Sequence, residues 1–121
     1  MSIVRPDPSP GRLGVVEAHR MLQEATAVLL DVRETAEWQA GHAPGAQHLP
    51  MSQLAAGAQV PSPPADSRLV LICRSGKRSR TAALLLRERG TDAVDVAGGM
   101  EEWVRQSLPI QDAAGAAGTV I

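Results

Sequence analysis

Short apolar runs alternate along the chain with segments of mixed polarity. Three of these runs are bounded by polar residues and are typical of strands buried on both faces of a parallel sheet. They are AVLLDV at 27–32, LVLIC at 69–73 and AVDV at 93–96. The turn-rich segment at 42–50 predicts a further brief strand near 46–49. The pattern therefore predicts a small set of buried strands spread over most of the chain.

Helical periodicity fills the intervals between these runs. In the segment GVVEAHRMLQEA at 14–25, apolar residues recur at i, i+3 and i+7, which predicts an amphipathic helix. The same pattern over 77–89 predicts a helix with Ala82, Leu85 and Leu86 directed inward. Shorter helices are predicted over 33–41, about 52–58 and 98–107, and Gly41 and Gly90 are predicted as helix C-caps.

Strands alternating with helices predict an α/β fold, with a parallel sheet of four to five strands and helices on both faces. Ligands of such sheets bind outside the carboxyl ends of the strands. Cys73 ends the second apolar run, so we expect it at that edge.

The length of 121 residues suits one domain. Pro6, Pro8 and Pro10 block a helix near the start, so residues 1–12 are predicted to form an extended arm. The domain itself is expected over 13–108. Residues 109–121 are rich in the small residues Ala and Gly and are predicted to be a flexible tail.

Composition excludes several classes of function. The chain has neither Phe nor Tyr, only two Trp, and a net charge of −1, so no stacking platform or basic field favours nucleic acid as a partner. No run approaches the roughly 18 apolar residues of a membrane helix, and the N-terminus has no apolar targeting segment. We therefore expect a soluble cytoplasmic protein that binds neither nucleic acid nor membranes.

Metals and cofactors are not expected either. A single cysteine excludes an internal disulfide and any CxxC site. The three histidines have no metal-ligand spacing with the cysteine or with carboxylates.

Cations are concentrated around that cysteine. No acidic residue occurs between Asp66 and Glu88, although this window holds six of the twelve Lys and Arg residues. Four of them lie in the seven residues that follow Cys73, which favours an anion-attracting site over a merely solvated helix face. They are Arg74, Lys77, Arg78 and Arg80.

The segment after Cys73 can stabilise a thiolate, the form in which cysteine is nucleophilic. It precedes a predicted helix, whose first amides and dipole favour negative charge. Ser75 and Gly76 are small, so successive backbone N–H groups can curl around the sulfur. The alternative is an inert buried cysteine, which is a common role for this residue type. An inert cysteine has no use for four nearby cations, so we interpret Cys73 as a nucleophile.

Three segments in this order resemble the rhodanese family. CRSGKR at 73–78 resembles that family's six-residue active-site loop, with the cysteine first and a basic residue last. LLDVRETAEWQAGHAPGAQHLP at 29–50 is similar to its strand–helix–turn segment, and VAGGMEEW at 96–103 to its closing turn and helix. The resemblance covers about residues 13 to 108.

This resemblance implies a thiosulfate sulfurtransferase of the rhodanese type. Cys73 would attack the outer sulfur of a small anionic donor such as thiosulfate, become a persulfide, and pass the sulfur to cyanide, a thiol or a protein acceptor. Two half-reactions sharing one covalent intermediate predict ping-pong kinetics. The expected donor-binding and persulfide-binding residues are Arg74, Ser75, Gly76, Lys77, Arg78 and Ser79.

The resemblance implies structural roles outside the loop. Asp31 is expected to fix local turns or to pair with Arg33, Glu37 and Trp38 to pack their helix, and His42 to hydrogen-bond within its turn. We expect the protein to be a monomer or a weak dimer.

Other functions stay open. Cysteine phosphatases and arsenate reductases related to this fold place an arginine six positions after the cysteine, whereas Arg78 comes five after Cys73 and Ser79 follows it. The shorter loop favours a sulfur atom over a phosphate. A persulfide carrier that docks on one partner protein needs the same loop, so the sequence does not separate it from an enzyme. A purely structural rhodanese-like module is disfavoured because the nucleophile is present.

Overall fold

The computed structural model describes residues 12–121 of the chain. Within these residues five strands alternate with five helices, and the alternation itself is what the sequence predicts. In chain order they are β1 (Arg12–Leu13), α1 (Val15–Gln23), β2 (Ala27–Asp31), α2 (Thr35–Ala40), β3 (Gln47–His48), α3 (Met51–Ala55), β4 (Arg68–Ile72), α4 (Lys77–Glu88), β5 (Ala93–Val96) and α5 (Gly99–Arg105). The predicted extended arm lies outside the described residues except for Arg12, which begins β1.

The strands form one parallel sheet in the order β1-β5-β4-β2-β3. The predicted α/β class is therefore confirmed, with five strands. Strand β1 was not predicted, because two residues are too short to give a periodic signal. The long central strand β4 pairs with β2 on one side and with β5 on the other, so the residue that follows β4 lies in the middle of the sheet's carboxyl edge.

Helices cover both faces of the sheet. On one face, α1 and α5 pack over strand residues that alternate along the chain, and Trp103 and Met100 of α5 are fully buried there. On the other face, α3 and α4 cover the remaining strand positions, and Leu54 and Leu86 anchor these helices. Both faces of the central strands are therefore apolar, which explains why their sequences read as continuous hydrophobic runs.

Gly41 follows α2, but it is not the left-handed cap that the sequence predicts. Its φ is 175°, an extended conformation that any residue adopts. Close packing explains the glycine instead, because a Cβ here would overlap the backbone of Thr119, whose nitrogen would lie 2.7 Å away.

The C-terminal segment returns to pack on the domain. Gln111 exchanges backbone hydrogen bonds with His42, and Thr119 donates its N–H to the carbonyl oxygen of Ala40. The indole N–H of Trp103 donates to the carbonyl oxygen of Pro109 at 2.8 Å. These contacts join the tail to α5, to the end of α2 and to the turn after it, while most residues of 112–121 stay exposed. Its flexibility stays a prediction.

Candidate active site

Cys73 lies directly after β4 and four residues before the start of α4, at the carboxyl edge where the sequence places it. Its Sγ accepts hydrogen bonds from the backbone N–H groups of Gly76 and Ser79, both at 3.2 Å. Gly76 is the N-cap of α4 and has no side chain to fill that role. The sulfur therefore takes the place of a capping oxygen at a helix N-terminus, where the backbone donors and the dipole favour negative charge.

The loop between Cys73 and α4 needs a glycine at position 76. Gly76 has a φ of +96°, in the left-handed region that favours glycine. A Cβ here would lie 2.9 Å from an Arg12 guanidinium nitrogen and 3.0 Å from the Gly98 nitrogen. The Gly76 carbonyl oxygen also accepts a 2.8 Å hydrogen bond from that Arg12 nitrogen. Loop closure around the sulfur thus depends on neighbouring strands as well as on the loop itself.

The turn between β5 and α5 supports the loop from the other side. The backbone N–H groups of Met100 and Glu101 donate to the carbonyl oxygens of Cys73 and Arg74, at 2.8 and 2.9 Å. Gly99 allows this approach, because its φ is +58° and a Cβ would overlap the Cys73 carbonyl and lie 2.6 Å from that of Arg74. The glycine-rich segment at 96–103, which is similar to the closing turn and helix of the rhodanese family, therefore holds the cysteine backbone in place.

Cys73 has no solvent-accessible surface in this arrangement. Ser75 and Lys77, on the outer side of the loop, are exposed. A reactant therefore reaches the sulfur only when the groups that cover it move.

Arg78 is engaged by Glu37 of α2. Its two terminal nitrogens donate to the two carboxylate oxygens at 2.7 and 2.9 Å. The Arg78 hydrogen bonds hold the pKa of Glu37 below its ordinary value, and Glu37 in turn raises the pKa of Arg78. The resemblance implies that Arg78 binds the donor, but here both terminal nitrogens of its guanidinium are already bound to Glu37. Glu37 was expected only to pack its helix, so the sequence missed this contact.

Arg74 forms a looser pair. Its side chain is about half exposed and lies 3.3 Å from the Glu101 carboxylate. Because exposed pairs of this kind are weak, Arg74 stays able to turn toward an anion. With Lys77 it forms the accessible positive surface around the loop.

Asp95 completes the site beneath the loop, and the sequence analysis missed it. It alternates with the apolar residues of β5 and faces α4, where Ser79 donates its hydroxyl proton to the Asp95 carboxylate at 2.8 Å. Arg12 of β1 donates to both oxygens of the same carboxylate, at 2.9 and 3.1 Å. The sequence did contain a sign of this role: an acidic residue inside a short apolar strand is expected to be buried, and a buried carboxylate requires polar partners.

The other expected positions have structural roles. Arg33 forms a fully buried ion pair with Asp31 at 2.8 Å and also donates to the Gly41 carbonyl oxygen. A ring nitrogen of His42 hydrogen-bonds the Trp38 carbonyl oxygen at 2.7 Å, and the His42 ring stacks on that of Trp38. Within residues 12–121, no group of three His, Cys, Asp or Glu side chains could hold a metal ion. In the same range no helix is long and apolar enough to cross a membrane.

The family model for the rhodanese-like domain matches residues 15–106. The chain belongs to this family. The match includes the cysteine loop and the glycine-rich turn that supports it, so the resemblance read from the three sequence segments is confirmed.

Solved structures agree with this assignment. A rhodanese-related protein from Thermoplasma volcanium is 26% identical, with a TM-score of 0.72 over 82% of this chain and 95% of that one. A Rhodopseudomonas palustris protein described as a possible tyrosine phosphatase is 22% identical, with a TM-score of 0.72 over 92% and 99% of the two chains. A thiosulfate sulfurtransferase from Pseudomonas aeruginosa is 24% identical, with a TM-score of 0.70 over 96% of this chain and 22% of its own. The last two share the fold of this rhodanese-like domain.

Proposed function

We propose that this rhodanese-like domain is a sulfurtransferase that carries sulfur as a persulfide on Cys73. The observation that supports this most directly is the pair of backbone N–H groups, from Gly76 and Ser79, that converge on Sγ at 3.2 Å. Such fixed donors stabilise negative charge without reorganising during the reaction.

In the first half-reaction, the Cys73 thiolate attacks the outer sulfur of thiosulfate. A new S–S bond forms to Sγ, and the bond to the sulfonate sulfur breaks, so sulfite leaves with the electron pair. One negative charge on the protein and two on thiosulfate become one on the persulfide and two on sulfite. The backbone amides of 74–79 are expected to hold the outer sulfur, and Arg74 and Lys77 to attract the donor.

In the second half-reaction, a nucleophile attacks the outer sulfur and restores the Cys73 thiolate. With cyanide the product is thiocyanate, and with a thiolate it is a new persulfide. The cycle begins and ends with the free Cys73 thiolate, which favours a reducing compartment such as the cytoplasm.

Loop size argues against phosphatase chemistry. Arg78 is the fifth residue after Cys73, and its terminal nitrogens bind Glu37. A loop that surrounds a phosphate in related enzymes is one residue longer and directs its arginine at the oxyanion. The likeness to a possible tyrosine phosphatase is at 22% identity and concerns the fold.

Steady-state kinetics test the proposal. With thiosulfate and cyanide, we expect thiocyanate release with parallel double-reciprocal lines, because the persulfide separates the two half-reactions. Cys73→Ser should release none while keeping the thermal unfolding transition of the parent protein. Turnover by that variant would overturn the mechanism. Sulfur loading followed by slow transfer to every small acceptor would favour the carrier role instead.

A further inference from the structure

A chain of hydrogen bonds leads from the Cys73 sulfur to a buried carboxylate. Sγ lies 3.4 Å from the Ser79 hydroxyl oxygen, which lies 2.8 Å from an Asp95 carboxylate oxygen. Ser79 is fully buried and Asp95 is 1% exposed. Because water does not reach either side chain, their mutual orientation is fixed by the protein alone.

The Ser79 hydroxyl has one proton, which it donates to the Asp95 carboxylate. An ionised carboxylate only accepts, so the hydroxyl must donate to it and turn a lone pair toward the sulfur. A lone pair can accept the S–H of a thiol, but it opposes an anion on Sγ. This contact therefore acts against the two backbone N–H groups of Gly76 and Ser79, which favour the anion.

The carboxylates around the sulfur are paired with cations, and the exposed Lys77 adds positive charge on the outer side of the loop. Each carboxylate facing this region from the neighbouring elements has a cationic partner. These pairs are Asp95 with Arg12 of β1, Asp31 with Arg33 after β2, Glu37 of α2 with Arg78, and Glu101 of α5 with Arg74. The orientation that Asp95 imposes on Ser79 acts on charge at Sγ itself, as the two backbone N–H groups do, but with the opposite sign.

We propose that Asp95 is a positioning residue that, through Ser79, biases Cys73 toward its sulfur-loaded form. In the persulfide, Sγ is a bridging atom and the charge lies one bond farther from Asp95, on the outer sulfur. In the unloaded thiolate the charge lies on Sγ, opposite the Ser79 lone pair. The Asp95–Ser79 contact disfavours the second state relative to the first. The effect on sulfur loading rests on the proposed persulfide chemistry. The orientation of the Ser79 hydroxyl can be tested on the unloaded protein, without that chemistry.

The first test is the pH dependence of alkylation of unloaded Cys73 by iodoacetamide. Asp95→Asn removes the charge and lets the amide donate to Ser79, so the hydroxyl proton can turn to the sulfur. The midpoint of the rate profile should move to lower pH by about half a unit to one unit, a three- to tenfold rate gain below the midpoint. Asp66→Asn makes the same charge change before the start of β4, at the opposite edge of the sheet, and should leave the midpoint unchanged. An unchanged or higher midpoint in Asp95→Asn would overturn the proposal.

The direction in which Ser79→Ala moves the alkylation midpoint is an independent test, which remains available if Asp95→Asn fails to fold. It removes the hydroxyl and keeps the backbone N–H that binds Sγ. If the hydroxyl faces the sulfur with a lone pair, its removal lowers the alkylation midpoint. A rise would mean that Ser79 donates to the sulfur, and the proposed orientation would be wrong.

The second test measures the loading equilibrium. The protein is equilibrated with fixed ratios of thiosulfate to sulfite at a pH above the alkylation midpoint, where the unloaded form is the thiolate, and the persulfide fraction is read by intact mass. Asp95→Asn should be loaded about three- to tenfold less strongly than the parent protein. Equal loading despite a lowered alkylation midpoint would refute the bias. A parent protein that never loads would instead refute the proposed function, while the alkylation test would still decide the orientation of Ser79.

Discussion

At the scale of single residues, the site depends on what surrounds one sulfur atom. Two backbone donors favour charge on Sγ, and one hydroxyl opposes it. Around this centre the cations differ in availability: Arg78 is held by Glu37, whereas Lys77 is exposed and Arg74 is weakly paired. Binding of an anionic donor should therefore depend mainly on the accessible cations.

Arg74→Ala and Lys77→Ala should each raise the KM for thiosulfate. The loss of one partly exposed cation is worth about 1 kcal/mol, or roughly fivefold, and it should also flatten the dependence of KM on salt. Steady-state kinetics at several ionic strengths measure both effects. Arg68→Ala, at the start of β4 and remote from the loop, is the matched control. An unchanged KM in the two loop variants would mean that these cations do not attract the donor.

The Glu37–Arg78 pair should stabilise the fold in a pH-dependent way. Because Arg78 lowers the pKa of Glu37, the stabilisation is complete above the ordinary value of 4.5 and is lost as pH falls through the lowered pKa. The pair is partly exposed, so Glu37→Gln should lower the free energy of unfolding near neutral pH by no more than about 1 kcal/mol. Urea unfolding at several pH values should show the two proteins converging in acid. A difference that persists unchanged to about pH 2 would contradict this assignment.

The residues that could be predicted from the sequence are those whose partners are close in the chain. The loop from Cys73 to Ser79 is local, so its glycine, its cations and the following helix were sufficient to identify it. Arg12 is 64 positions from its partner Gly76, and Glu37 is 41 positions from its partner Arg78. No local sequence pattern predicts contacts over such separations. Asp95 was missed as well, although a carboxylate inside the AVDV strand already indicates a buried partner.

At the scale of elements, the β5–α5 turn acts as a support for the β4–α4 loop. Its two N–H groups, from Met100 and Glu101, hold the carbonyl oxygens of Cys73 and Arg74. Gly99 makes this contact possible, because any side chain there would overlap the backbone it supports. The position of the cysteine therefore depends on two loops that are brought together by neighbouring parallel strands.

Gly99→Ala should destabilise the protein more than Gly90→Ala. Both residues have positive φ, +58° and +88°, but a Cβ at Gly90 meets nothing within 4 Å. Gly90→Ala should cost about 1 kcal/mol from backbone strain alone. Gly99→Ala adds a backbone overlap and should cost at least about 3 kcal/mol in urea unfolding. Equal losses for the two variants would mean that the contact between the loops tolerates a side chain.

Element types were more predictable than their ends. The strands at 27–31, 68–72 and 93–96 and the long helices came directly from buried runs and helical periodicity. Strand β1 was not predicted because it has only two residues. Gly41 was wrongly predicted as a left-handed C-cap, because the residue that requires a glycine there, Thr119, is far along the chain. The first failure comes from a strand too short to give a local pattern, and the second from a tertiary contact that no local pattern encodes.

At the scale of the whole molecule, helices cover both faces of the sheet, and the C-terminal segment packs on this domain through backbone hydrogen bonds and partly buried side chains. Its amides at Gln111 and Thr119 are hydrogen-bonded to the turn after α2. Leu108, Ile110 and Val120 are only partly buried against the core.

Hydrogen exchange should therefore separate the tail from the sheet. The amides of Gln111 and Thr119 should exchange by local opening, at least tenfold faster than those of Val70 and Leu71 in the fully buried strand β4. Exchange mass spectrometry or NMR measures this ratio. Protection of the tail equal to that of β4 would contradict the predicted flexibility and make residues 109–121 part of the cooperative domain.

The central claim is a persulfide on Cys73, and intact mass tests it most directly. The reduced protein and Cys73→Ser are incubated with thiosulfate, freed of excess reagent and weighed before and after cyanide. The account predicts that only the parent protein gains the mass of one sulfur atom, and that cyanide removes it. A protein that gains no sulfur from thiosulfate, mercaptopyruvate or a small-molecule persulfide, or a Cys73→Ser variant that gains it equally, would contradict the account.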